Sequence, residues 1–147
     1  MTPADAARLR SFLFFLLTIG LVATACDLVL LGHYESANQL VPLVLIAAAL
    51  VIVLWQAVAP SAASVKSLQV AMGFFLIAGA LGVVLHYRGN LAMQLDMDPG
   101  QPAWELFWKI MRAKAPPALA PGAMAQLGLL GLIYCHRHPA LATGDIP

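Results

Sequence analysis

From Phe12 to Leu31 the chain runs for 20 residues with Asp27 as its sole charge. At 1.5 Å rise per residue such a helix covers about 30 Å, the thickness of a bilayer's hydrocarbon core. A soluble chain would have to cover that run with polar sequence, and little is available. Only 10% of the residues are charged and 61% are hydrophobic, where a soluble domain carries about 25% charged residues. Most side chains are therefore expected to be solvated by lipid.

A rival reading of the first run starts from Arg8, Arg10 and the sequence Ala23-Thr24-Ala25-Cys26, which resembles a secretory or lipoprotein processing site. The run continues through Leu28-Val29-Leu30-Leu31, past the supposed cut, and further runs follow. A retained spanning helix is the expectation.

The second run, Leu40 to Ala59, has Pro42 in its first turn, where a missing N–H is harmless, and Trp55 and Gln56 at its far end. The third, Ser67 to Leu85, contains Gly73, Gly79 and Gly82. The fourth, counted from Pro117, is near the short limit for a span and is slimmed by Gly122, Ala125, Gly128 and Gly131. Small residues at helical spacing let membrane helices approach closely, although glycine is also simply common in such helices. Between the third and fourth runs, Trp104, Phe107, Trp108 and Met111 fall on one helical face and Glu105, Lys109 and Arg112 on the other. That is the pattern of a helix lying in the membrane interface, or of a lid packed on the bundle.

The expected fold class is thus an all-α integral membrane protein. A four-helix transmembrane bundle, with helices at about 12–32, 40–59, 67–86 and 117–135, carries a short interfacial amphipathic helix at about 103–114, all in one domain over residues 1–147. Four spans put both termini on one side. Lysines and arginines divide equally, with Arg8, Arg10, Lys66 and Arg137 facing that side and Arg88, Lys109, Arg112 and Lys114 the other. The arginines before the first helix favour cytoplasmic termini in a bacterial inner membrane.

Polar chemistry repeats at two places: the first run ends at His33-Tyr34-Glu35, and the third at His86-Tyr87-Arg88, 53 residues later. A duplicated pair of hairpins would account for this, as would chance. If the first and third helices adjoin, His33 and His86 approach each other. With Glu35, or with Asp96 or Asp98, they are candidate metal ligands, and two histidines can also hold a haem iron. The bland alternative is that His and Tyr are amphipathic residues at an interface. Asp27 is an intramembrane acid, either a proton or cation relay or a hydrogen-bonding partner of Gln126 in the fourth helix. His136 and His138 read as a solvated helix end. Cys26 and Cys135 lie in different runs and are not expected to pair.

No nucleophile–base order or glycine-rich phosphate loop can be picked out, so the chain reads more as a non-enzyme than an enzyme. A net charge of +1 gives no reason to invoke nucleic acid. The leading expectation is a non-catalytic accessory or assembly subunit, with lipid and a membrane-protein partner or its own copies around it. The alternatives are a small transport component using Asp27 and Gln126, and a metal- or haem-binding redox protein using His33 and His86. No cofactor is the default, with metal or haem as the alternative.

Overall fold

A computed structural model describes residues 2–114 and 116–142. The chain is helical throughout its ordered elements: α1 (Pro3–Leu30), α2 (Ala37–Val58), α3 (Ala62–Met97), α4 (Ala103–Met111), α5 (Gly122–Cys135) and the single turn α6 (Pro139–Ala142). Three of these, α1, α2 and α3, are long and apolar enough to cross a membrane. Their surfaces agree: Phe12, Phe15, Ile19, Val44, Val51, Phe74 and Ile77 all face outward, as side chains solvated by lipid would. α5 has 14 residues, about 21 Å of helix, and is shorter than a full span.

Helix starts follow local chemistry. Thr2 caps α1, its hydroxyl accepting from the Asp5 N–H while Asp5 accepts from the Thr2 N–H, with Pro3 at the first helical position. Ser61 and Ser64 do the same for α3. At the start of α2, Gln39 Oε1 accepts from the N–H groups of Glu35 and Ser36.

Gly79 and Gly82 of the third run and Gly128 and Gly131 of the fourth line the seam between α3 and α5. A Cβ on Gly79 would lie 2.6 Å from the Ala125 nitrogen, and one on Gly128 would lie 2.8 Å from the Met72 carbonyl oxygen. One on Gly82 would meet Pro121 at 2.6 Å, and one on Gly131 would meet the Met72 side chain. α3 and α5 therefore pack nearly backbone to backbone, the close approach that small residues permit. Leu17 and Leu21 of α1, Ile46, Ala49 and Val53 of α2, and Leu68, Met72 and Phe75 of α3 fill the core around this pair.

α3 departs from its expected boundary. It does not stop at His86-Tyr87 but continues without a break to Met97, 36 residues in all. A change from apolar to polar side chains alters the solvent a segment suits, not its backbone preference. Leu91, Ala92, Met93, Gln94 and Leu95 are good helix formers, and the break comes only at Asp98-Pro99-Gly100. The chain then returns along α3: Gln101 donates to the Gln94 carbonyl, Asn90 to that of Pro116 and His86 to that of Pro117. The upper part of α3 and α4 thus form a cap, with Ile110 fully buried in it. The proposed duplication loses its structural basis, because His33 follows a helix end while His86 lies within a helix.

Candidate functional site

Each imidazole at the α1–α3 end is positioned by an identifiable local rule. Gly32 has φ +67°, the left-handed region that glycine enters without a Cβ penalty. The His33 N–H bonds to the Leu28 carbonyl at 2.8 Å and the Gly32 N–H to the Val29 carbonyl at 3.1 Å. Together these make a Schellman closure. It ends α1 sharply and turns His33 off the helix toward α3.

His86 is fixed from the opposite direction. Pro116 and Pro117 have no N–H, so the returning segment offers carbonyls alone. His86 and Asn90, one turn apart on one face of α3, supply the donors: Asn90 Nδ2 lies 2.9 Å from the Pro116 oxygen and His86 Nδ1 2.9 Å from the Pro117 oxygen. A carbonyl can only accept, so Nδ1 carries the proton. In the neutral ring, Nε2 is left with its lone pair.

The two rings meet with centroids 6.5 Å apart and planes inclined at 54°. Desolvation, and then the neighbouring His86, hold His33 below the usual 6.5, so His33 is neutral at pH 7. Glu35 is exposed, and no cluster of three metal-capable side chains forms among the described residues.

The opposite end of the helices holds a polar network that sequence reasoning missed. Gln56 of α2 is 5% exposed. Its Nε2 donates to the Tyr134 hydroxyl of α5 at 2.9 Å, and its Oε1 accepts from Ser64 of α3. Ser64 also reaches the Ser61 carbonyl, and the Cys135 thiol points at the Val65 carbonyl. The Tyr134 ring packs at a tilt against Phe14 of α1 and against His138. Arg10 donates to the Arg137 carbonyl at 3.3 Å. His138 is buried rather than a solvated helix end, and burial, with Arg10 nearby, holds it below 6.5. The available signal was Gln56 and Tyr134 themselves, polar groups at the ends of apolar runs in need of partners.

The remaining candidates are placed as follows. Asp27 lies in the last turn of α1 and is exposed; Gln126 in α5 is also exposed. The expected hydrogen bond between them is not formed, because both side chains face out of the helical packing. Trp104, Phe107 and Trp108 form a mutually contacting aromatic ridge on α4, with centroids 5.4–6.0 Å apart. Arg112 lies 5.4 Å over the Trp108 ring, and Met111 is half-buried. α4 seats Ile110 inward and leaves this ridge outside. Cys26 and Cys135 are both free thiols.

No family model, no curated protein and no solved structure matches the chain.

Proposed function

We propose that the chain is a non-catalytic accessory or assembly subunit of a bacterial inner-membrane complex, docking a membrane-protein partner through its cap. In this reading α5, with the turn that precedes it, is the short fourth span of a four-helix bundle. Arg8 and Arg10, near the start of α1, keep the termini in the cytoplasm, and the cap projects on the opposite side. The supporting observation is the ridge on α4. Trp104 is 69% exposed and Trp108 40%, although Ile110, on the same short helix, is fully buried. A firmly seated helix that presents three aromatic rings and a cation outward has the composition of an interface hot spot.

A photoreactive residue in place of Trp108 tests the reading in whole cells. The expected result is a protein adduct of discrete mass, lost when Trp104→Ala is added. Adducts with lipid alone would make α4 a membrane-surface anchor and remove the accessory reading.

The metal- or haem-binding reading is favoured by the approach of His33 and His86. The transport reading draws less support, since Asp27 and Gln126 do not face a common path between the helices.

A further inference from the structure

We infer that His33 and His86 together bind one divalent transition-metal ion of the Zn2+, Ni2+ or Cu2+ class, with water completing the coordination shell. This goes beyond the docking role of the cap and stands whether or not a partner binds there.

The first support is distance. A metal–nitrogen bond is about 2.0–2.1 Å, so two imidazoles on opposite sides of one ion bring their centroids to about 6.4 Å. A tetrahedral angle brings them to about 5.2 Å by the same bond length. The observed separation is 6.5 Å. The rings therefore stand at the separation the first geometry needs and about 1 Å beyond that of the second, and a turn of one ring that brings its nitrogen toward the other completes the pair.

The second support is orientation. A metal-binding histidine characteristically donates its other ring N–H to a carbonyl or carboxylate, which fixes the tautomer. His86 Nδ1 does this with Pro117 at 2.9 Å, leaving Nε2 as the ligating atom. The ring that must adjust is His33, which sits on the α1–α2 connection and has no ring hydrogen bond among the described residues.

The third support is ligand type. Imidazoles suit zinc, nickel and copper, whereas calcium and magnesium need oxygen donors. Two protein ligands, against the four of a structural zinc site, make the binding weak and exchangeable. Copper is the tightest binder in the divalent series.

Cu2+ titration of the full chain in mild detergent, read by EPR, tests the site. One ion per chain is expected, with couplings from two imidazole nitrogens. Affinity should fall about tenfold or more in His33→Ala and in His86→Gln, and stay unchanged in His136→Ala at the other end. Gln at 86 keeps a donor for Pro117, and circular dichroism checks that each variant is folded. Copper held equally well by the His33→Ala/His86→Gln double variant would overturn the inference and move binding to the C-terminal histidines. So would no bound ion at a large excess of metal, or a Soret band in the purified protein, which would give the pair to haem.

Discussion

The two ends of the helical packing are both polar, and they use their polarity differently. At the Gln56 end, the bonds that join α2 to α3 and α5 run from side chain to side chain. Gln56 donates one N–H to Tyr134 and accepts from Ser64, and Gln56 and Ser64 are both buried. At the His86 end, side chains bond to backbone: Asn90 donates to the Pro116 carbonyl, and His86 to that of Pro117, which also accepts from the Ala120 N–H. What remains there is ring nitrogen without a hydrogen bond, on each of two neighbouring imidazoles. The first network joins three helices through side chains, whereas ring nitrogens left without a hydrogen bond can take a ligand. The difference teaches that polarity in a greasy chain is informative only once its hydrogen bonds have been counted.

The strongest way to break the comparison is to remove the shaft on which both ends stand. In Gly79→Val the new Cβ would fall 2.6 Å from the Ala125 backbone nitrogen, which no rotamer can relieve. Overpacking of this kind costs about 3 kcal/mol, and thermal unfolding in detergent should show both ends failing together. A stable Gly79→Val protein with intact ends would mean that α3 and α5 are not packed as described.

Next in size is Gln56→Leu. It leaves the buried Tyr134 hydroxyl without its donor, for a loss of about 1–3 kcal/mol. The histidine end should be untouched, and the NMR signals of its imidazoles should not move. Gly32→Val is the reciprocal change. Forcing a β-branched residue into the left-handed region costs about 1–2 kcal/mol and swings His33 away from His86. Its test is the loss of any NMR contact between the two rings, with the Tyr134 signals unchanged.

The smallest expected effect is that of pH. His33 and His138, one at each end, both titrate below 6.5 in the folded chain. As pH falls below 6.5 the unfolded chain therefore takes up protons first. Stability should be flat above about pH 6.5 and decline below it, toward the folded values. His33→Ala should remove its share of that decline; an unchanged profile would mean that His33 is not desolvated.

How much of this was legible in the sequence follows from which residues answer to a single local rule. The apolar runs gave the helices, because length and hydropathy act on each segment alone. The meeting of His33 and His86 was expected on the condition that the first and third helices adjoin; α1 packs instead on α5 and α2, and the two rings meet only where the chain leaves α1. The upper third of α3 was not legible. Tyr87, Arg88 and Asn90 look like a loop by polarity, yet none of them breaks a helix. Gly79, Gly82, Gly128 and Gly131 let α3 and α5 close on Ala125, Pro121 and Met72, a pairing that spacing along one helix does not reveal. Gln56, Ser64 and Tyr134 lie far apart in sequence, and their network exists only after packing.

The most direct measurement is the thermal midpoint with and without Zn2+ for the wild type, Gln56→Leu and His86→Gln. A ligand that binds only the folded chain raises its midpoint. If one end is closed and the other open, Zn2+ raises the wild type and Gln56→Leu by the same increment and leaves His86→Gln where it was. An equal rise in all three, or none in the wild type, would contradict the division of roles between the two ends.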